Sequence, residues 1–419
     1  MTERLLQYIW QFQYFNSKEL VTDEGEALQI IQQGMYNTNQ GPDFTDAKIK
    51  IASTTWAGSI ELHINASDWR NHKHSGDKNY QNVILHVVWE NDIDLGLPFS
   101  TLVLQDKVPK ILLNKYDEIM NTHSFIPCEK NIQQINSITW QSWKTRILVE
   151  RLETKTRTVL DLLQQSSNHW EEIFWWLLAR NFGMHLNSLA FEKMARSIPL
   201  NILAKHKEQI HQVEALLFGQ SGLLDENFTE SYPKLLQKEY LFLKAKYKLT
   251  KPGCSMVFLR MRPSNFPTIR LAQLAMLAHT SLHLFSKIKE STDLKGIKEL
   301  LQVTANDYWH YHYVFDEATA FKPKKLGQQM TDNLLINTIV PVLFAYGHYH
   351  HDILYKGKAL QWLEEISAEK NTITNGFSAL DIQNKTAFDS QALIQLKNEY
   401  CNQKRCLDCS IGNKLLRNG

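Results

Sequence analysis

The sequence predicts an α+β protein: a mixed α/β sandwich at the N-terminus, a mostly helical body, and a cysteine-containing C-terminal hook. Strand-like patterns are confined to residues 20–105, and helical periodicity dominates from residue 135 onwards. Glycine and proline number only 17 and 11 among 419 residues, which disfavours a turn-rich all-β design. We therefore predict an α/β domain at 1–125, a helical domain at 126–375, and a C-terminal helix with a cysteine cluster at 376–419.

The elements of the N-terminal domain follow from the spacing of its apolar residues. Leu5, Leu6 and Ile9 share one face of a helix predicted over residues 3–15. An Asp-Glu-Gly turn predicts a hairpin, with a helix around Glu26–Gln33 as the alternative. Apolar runs predict the strands in the order 20–21, 28–31, 47–52, 59–65, 83–89 and 101–105. The last long run, 83–89, is almost continuously apolar, as is typical of a strand buried on both faces.

The body of the chain shows the 3.6-residue period of amphipathic helices. We expect a helix through residues 147–163 and a final helix at 387–400, separated from the others by a polar loop at 371–385. The remaining helices are predicted near 171–182, 187–219, 234–247, 267–287, 329–346 and 357–369.

Composition limits the classes of protein to which the chain belongs. No apolar run approaches the ~18–20 residues of a membrane span, and the N-terminus lacks a signal-peptide pattern. We therefore expect a cytoplasmic protein without a membrane partner. The sequence leaves its oligomeric state open. The net charge is only +2, yet the first 100 residues carry 7 basic and 13 acidic residues. Either a metal site joined to an anion-binding body or a contact between oppositely charged domains would explain this asymmetry.

Two carboxylates and a histidine form the most informative pattern. In the strand predicted at 59–65, alternation places Glu61 and His63 on one face. Asp43 lies in a Gly-Pro-Asp turn just before the neighbouring strand. Such carboxylates, converging from adjacent strands, would hold a divalent cation (Mg²⁺ or Mn²⁺) that activates water against a phosphodiester. The alternative is a solvated sheet face on which Asp43 is a turn residue.

Pro42-Asp43 followed by Glu61-Leu62-His63 resembles the motif of the PD-(D/E)xK nuclease superfamily, over the first quarter of the chain. The resemblance implies a restriction-endonuclease-like core, nucleic acid as the partner, and a metal held by Asp43 and Glu61. It also places another acid, Glu3, in the first helix. DNA and RNA, and endo- and exonucleolytic action, stay open.

His63 departs from this resemblance, because the superfamily has lysine at that position. A histidine there would act as a general base or as a nitrogen ligand favouring Mn²⁺, Fe or Zn²⁺. It would equally mark a degenerate site. Lys48 and Lys50, in the neighbouring strand, are candidates to replace the missing ammonium group.

A second metal cluster is predicted just downstream, from Asp68, His72, His74 and Asp77. It would serve a metal-dependent hydrolase of another kind, whereas a solvated loop is the simpler interpretation. His86, within a buried strand, is expected to be a core histidine.

Three cysteines crowd the C-terminus as Cys401-x4-Cys406-x2-Cys409. In a reducing compartment this spacing is compatible with Zn²⁺ or an Fe–S cluster. The fourth ligand would be Cys128, Cys254 or a histidine. The alternative is a C-terminal hook with unligated thiols.

Arg260, Arg262 and Arg270 surround two prolines before a predicted helix. They would present guanidinium groups to phosphates, or pair with acidic residues between helices.

Six blocks resemble an uncharacterised bacterial family that carries a domain-of-unknown-function label, and the likeness spans nearly the whole chain: NQGPDF, SIELHINASDW, NVILHVVWEND, EALLFGQSGLL, RMRPSNFPTIR and YCNQKRCLDCSIG. That family implies no activity. From the carboxylate pattern and its resemblance to the PD-(D/E)xK superfamily we predict a metal-dependent, nuclease-like phosphodiesterase acting on nucleic acid. The alternative is a non-catalytic module that binds nucleic acid or protein on a degenerate nuclease fold.

Overall fold

The computed structural model confirms the α+β class and describes residues 1–72, 74, 77–281 and 283–417. The chain divides into two compact units, one of Met1–Trp143 with Leu396–Gly419 and the other of Lys144–Gln395. The first unit carries the sheet, and the second is built mainly from helices. The C-terminal cysteine cluster therefore belongs to the unit that contains the sheet.

The strands that the structure describes are β1 (Leu20–Val21), β2 (Ala27–Gln32), β3 (Met35–Tyr36), β4 (Phe44–Ile51), β5 (Thr54–Asn65), β6 (Val83–Glu90) and β7 (Ser100–Val103). The described α-helices are α1 (Glu3–Gln11), α2 (Asp68–Asn71), α3 (Lys110–Asn121), α4 (Ser137–Gln165), α5 (Trp170–Phe182), α6 (Met184–Arg196), α7 (Leu200–His206), α8 (Ile210–Gln220), α9 (Ser231–Tyr247), α10 (Pro267–Thr280), α11 (Leu284–Glu290), α12 (Leu294–Leu300), α13 (Asp307–His310), α14 (Gln328–Leu334), α15 (Val340–Tyr349), α16 (Ile353–Glu365), α17 (Thr372–Ser378), α18 (Ala387–Gln395) and α19 (Ser410–Arg417). Short 3₁₀ or π segments occur at Lys78–Tyr80, Glu129–Gln134, Pro263–Asn265, Leu335–Ile339, Leu396–Cys401 and Cys406–Asp408.

The strands form one mixed sheet of order β1-β2-β4-β5-β6-β7, with β3 paired to β4. The predicted hairpin exists, since β1 pairs antiparallel with β2. β4 and β5 are also antiparallel, whereas β5, β6 and β7 run parallel. β6 lies between two strands and is buried from Val83 to Val88, as its continuous apolar run predicts.

Helix α1 packs its apolar face against β5. The Thr2 side chain accepts the backbone N–H of Leu5 and caps the helix start. Leu6, Ile9 and Trp10 are fully buried in the core of this unit. Glu3 and Gln7 lie one turn apart on this helix and are half-buried.

A β-bulge interrupts the pairing of β4 with β5. Ala47 pairs with Gly58, but Phe44 pairs with Ile60, so β4 carries one extra residue between these two points. Asp46 in this segment has a positive φ of 56°. The bulge shifts the register of the preceding chain by one residue.

The helical unit is organised around α5, which contacts α6, α10, α11 and α14. Most of this helix is apolar on every side, and Phe174, Leu178 and Phe182 are buried. A helix that is hydrophobic all round belongs in the interior. None of the described helices combines the length and apolar composition that a membrane crossing demands.

Two features of this unit differ from the sequence-based expectation. The stretch at 187–219 forms three helices rather than one, with a break at Pro199, which precedes α7. The polar stretch at 371–385 contains helix α17. Asn371 and Thr374 form a reciprocal capping box there, and Phe377 is fully buried, so capping and packing outweigh the polar composition.

Candidate metal centre

Asp43 and Glu61 meet as the sequence predicts, the first just before the start of β4 and the second within β5. The backbone N–H of Asp43 donates to Oε2 of Glu61 at 2.9 Å. The backbone N–H of Leu62 donates to Oδ2 of Asp43 at 3.1 Å. Each carboxylate is therefore held by the strand that carries the other, which fixes both side chains on one side of the sheet.

Helix α1 supplies a third contact to this acid pair. Nε2 of Gln7 donates to Oδ1 of Asp43 at 2.8 Å, and the Tyr36 hydroxyl donates to Oε1 of Gln7 at 3.2 Å. Glu3, one helical turn earlier, is close enough for its charge to act on both carboxyls. Glu3, the further acid that the nuclease resemblance places in the first helix, thus lies near the site.

Three histidines cluster beside Glu61, and two of them lie close to its Oε1 oxygen. Nε2 of His63 and Nε2 of His74 lie 3.6 and 3.4 Å from Oε1 of Glu61. Nε2 of His63 and Nδ1 of His72 are 3.1 Å apart. One nitrogen from each of these histidines lies within 4.8 Å of the others. The loop after β5 therefore folds back onto the strand that carries Glu61.

These distances fit the ligand shell of a single ion. Metal–nitrogen bonds of ~2.0–2.1 Å in a tetrahedral site bring neighbouring ligand atoms to about 3.3–3.4 Å. Among the described residues, Nε2 of His74 has no hydrogen-bond partner, although it is buried and faces Glu61. An unsatisfied buried nitrogen aimed at a carboxylate and two further imidazoles is the donor set that a transition-metal ion takes.

Surrounding side chains fix the orientation of these imidazoles. Nδ1 of His63 is 2.8 Å from Nε2 of His86, which is fully buried in β6. The His74 ring stacks on Tyr80 at 3.9 Å between ring centroids. Trp69, itself buried, contacts the rings of His63, His74 and His86 at their edges. A metal-binding histidine commonly bonds a partner through its second nitrogen, as His63 does with His86.

Burial dominates the electrostatics of the site. It raises the pKa of Glu61 to about 9, with the charge of Asp43 adding to the shift. Burial also raises the pKa of Asp43 to about 6. It lowers the pKa of His63 to about 2 and that of His86 to about 4, so both rings are neutral at pH 7. Neutral imidazoles keep a lone pair free for a metal ion.

The structure does not gather the predicted second cluster into a site of its own. His72 and His74 join Glu61 and His63 instead. Asp68 accepts the backbone N–H of Asn65, and Asp77 accepts that of Asn79, so both carboxylates hold local turns.

The two lysines proposed to replace the superfamily ammonium lie far along the sheet. Lys48 pairs opposite Ala57 and Lys50 opposite Thr55, and both side chains are exposed. Ala57 is four residues from Glu61, about 13 Å along a strand at ~3.3 Å per residue. Neither lysine is placed to act on the acid pair.

The predicted phosphate-binding arginines all lie in the helical unit and differ in exposure. Arg260 and Arg262 are exposed, and phosphate binding by them stays a prediction. The Arg270 guanidinium is buried and donates to Asn265 and Gln273, at 2.7 and 2.9 Å. The structure thus assigns Arg270 to internal packing and does not present it to a phosphate.

The chain matches, over residues 3–372, the family model described as "Protein of unknown function (DUF2851)". The chain belongs to this family. No curated protein and no solved structure matches it. The match to DUF2851 covers every residue of the candidate metal centre and ends before the C-terminal cysteines, and it confirms the full-length family resemblance. The nuclease resemblance stays a prediction.

Two contributors to the centre of this DUF2851 chain were not predicted from sequence. Gln7 orients Asp43, and its only signal is its position one turn after Glu3 on the polar face of α1. Tyr80 supports His74 from a short 3₁₀ turn, and nothing in the local sequence distinguishes it from other aromatic residues.

Proposed function

We propose that the sheet-containing unit binds a divalent transition-metal ion through Glu61, His63, His72 and His74, and hydrolyses phosphodiesters there. The grouping of three imidazole nitrogens, two of them beside one buried carboxylate oxygen, carries this proposal. When bound, such an ion would supply Lewis acidity and lower the pKa of a water molecule. Nitrogen ligands favour Mn²⁺, Fe²⁺ or Zn²⁺ over Mg²⁺.

The roles of the protein groups follow from their hydrogen bonds. Both ring nitrogens of His63 are engaged, with His86 and His72, so His63 suits a ligand role better than that of a mobile base. Asp43 is fixed by Gln7 and Leu62 but keeps a second lone pair on each oxygen. It would orient the attacking water at the edge of the centre.

The choice of phosphodiesters rests on the order of the acidic residues and elements. Pro42-Asp43 precedes β4 and Glu61-Leu62-His63 lies in β5, the arrangement by which the chain resembles PD-(D/E)xK enzymes. A helix and a hairpin come before this pair, and a short helix and the parallel strand β6 come after it. Nucleic acid is the corresponding substrate class.

A specific observation also favours the non-catalytic alternative. Glu61 is 5% exposed and His63 is fully buried, so among the described residues of the centre it is the exposed His72 beside which substrate would enter. A metal that merely stabilises a binding module would need no such access.

One experiment separates the two functions. Metal-free full-length protein is supplied with Mg²⁺, Mn²⁺ or Zn²⁺ and incubated with single- and double-stranded DNA and RNA. We expect Mn²⁺-dependent cleavage that Glu61→Gln abolishes and Glu90→Gln, an exposed control at the end of β6, retains. Stoichiometric metal binding without cleavage would leave the non-catalytic module, and absence of metal binding at the histidines would exclude the metal-dependent phosphodiesterase.

A further inference from the structure

Four of the five cysteines belong to the sheet-containing unit, although they come from distant parts of the chain. Cys128 directly precedes the short helix Glu129–Gln134, and Cys401 ends the π segment Leu396–Cys401. Cys406 and Cys409 enclose the turn that leads into α19. The helix after Cys128 contacts α19, and the segment that ends at Cys401 contacts the turn at Cys406–Asp408. The fold therefore brings all four positions to one place.

The thiols at this place lie close to one another, two of them buried and two, Cys128 and Cys401, half-buried. Cys406 and Cys409 are each 7% exposed. Burial, followed by the neighbouring cysteines, raises the pKa of Cys128 and of Cys401 far above the usual range. The fifth cysteine, Cys254, lies in the helical unit, where its sulfur faces the carbonyl of Gln220 at 3.8 Å.

Several polar groups around these thiols oppose the effect of burial. Burial raises the pKa of Cys409 to about 11, while backbone N–H groups of Ile411 and Gly412, at the start of α19, donate to its sulfur and favour the thiolate. Burial likewise raises the pKa of Cys401 and of Cys406, against which the charges of Lys397 and Lys404 act. Ordinary core thiols need neither donors nor cations, whereas thiolates bound to a metal need both, because the assembled centre carries net negative charge.

Gly412, in α19, allows this helix to lie close to the backbone of Cys406. A Cβ atom at this position would lie 2.2 Å from the carbonyl oxygen of Cys406. A glycine at this position thus permits the backbone of α19 to contact the Cys-x2-Cys segment.

We propose that Cys128, Cys401, Cys406 and Cys409 form a metal centre held by four thiolates, which takes one iron–sulfur cluster or one Zn²⁺ ion. The thiols release their protons to solvent as the sulfur–metal bonds form. The centre ties the segment at Cys128 to the C-terminal hook, and it is separate in residues and ligand type from the histidine site.

The spacing of the sulfurs distinguishes the two occupants. A tetrahedral zinc site with bonds of ~2.3 Å brings its sulfurs to about 3.8 Å. Among the described residues, which include all the cysteines, no three sulfurs lie within 4.8 Å of one another. A cluster with several irons and bridging sulfides accepts a wider set of thiolates than a single ion. We therefore expect the iron–sulfur cluster.

The test is the metal content of full-length protein purified without oxygen. We expect iron and acid-labile sulfide at one cluster per chain, with visible absorption, in the wild type, in Cys254→Ser and in Glu61→Gln. Cys128→Ser should lower that content at least about tenfold, although this residue lies outside the hook. Retention of metal by Glu61→Gln separates this centre from the histidine site.

Each possible result of this metal analysis supports or overturns the four-thiolate centre. Stoichiometric zinc without iron, lost in Cys128→Ser, keeps the four-thiolate centre with Zn²⁺ as its occupant. If Cys128→Ser does not fold, removal of the metal from the wild type should make four protected thiols reactive to an alkylating reagent. Wild-type protein with neither zinc nor iron and sulfide, even after anaerobic reconstitution, overturns the proposal.

Discussion

In metal-free protein, replacing Glu61 with glutamine should stabilise the fold, and the gain should grow with pH. Burial and Asp43 raise the pKa of Glu61 from 4.5 to about 9, so the folded protein holds a neutral carboxyl at pH 7 while the unfolded chain ionises it. Its stabilising contribution is complete below pH 4.5 and is lost as the pH rises to about 9. The amide has no proton to lose, and its oxygen retains the hydrogen bond from the Asp43 N–H.

The magnitude follows from the two pKa values of this carboxyl. At pH 7 ionisation favours the unfolded wild type by about 3 kcal/mol, at ~1.36 kcal/mol for each unit above 4.5. The Glu61→Gln variant has no carboxyl to ionise and therefore does not lose this stability. Its advantage should therefore rise by about 1.4 kcal/mol per pH unit between pH 5 and 9, since only the wild type gains from ionising when it unfolds.

Urea unfolding in chelator at pH 5, 6, 7 and 8 measures this difference directly. Glu90→Gln, an exposed control, should follow the wild type at each pH. Added Mn²⁺ should reverse the order, because only the wild type keeps the carboxylate ligand. A glutamine variant that is less stable than the wild type at pH 8 in chelator, or a difference that is constant with pH, would refute the reasoning.

Two further predictions concern other residues. His74→Ala should weaken Mn²⁺ binding at least about tenfold in calorimetric titration, because it removes one nitrogen facing Glu61, whereas the exposed His123→Ala should bind as the wild type does. Burial raises the pKa of Glu214, which is fully buried, to about 8, so its contribution to stability should fall as the pH rises from 5 to 8. Glu214→Gln should reduce this fall in unfolding measured at both pH values, and an equal fall in variant and wild type would contradict the assignment.

The sequence predicted six of the seven described strands and the shared face of the key residues for a local reason. Alternation in β5 alone places Glu61 and His63 together, and the apolar run of β6 alone indicates burial. Both are properties of consecutive residues. The α+β class and the first helix rest on similarly local signals, whereas the two-residue strand β3 is too short to give one.

The rest depends on how distant segments meet, which no local period records. The sequence left two interpretations of His72 and His74, a solvated loop and a second metal site. The path of the chain after β5 decides whether they reach Glu61. Cys128 competed with Cys254 as a partner of the hook, and only the tertiary fold brings the segment at Cys128 to α19. The helix α17 was missed because its capping box uses threonine where glutamate or glutamine is usual.

The extra residue in β4 decides which side chain stands opposite Glu61. With the register that pairs Ala47 with Gly58, an uninterrupted ladder that kept every residue would set Phe44 opposite Glu61. The bulge absorbs one residue, so Phe44 stands opposite Ile60 and the preceding Asp43 lies next to Glu61. Deleting one residue at 45–46 would remove the bulge and keep this register, whereas an added residue that the ladder does not absorb would set Phe44 opposite Glu61. When DUF2851 sequences are aligned, a member that keeps both acids but is one residue shorter at the bulge therefore retains the geometry of this centre.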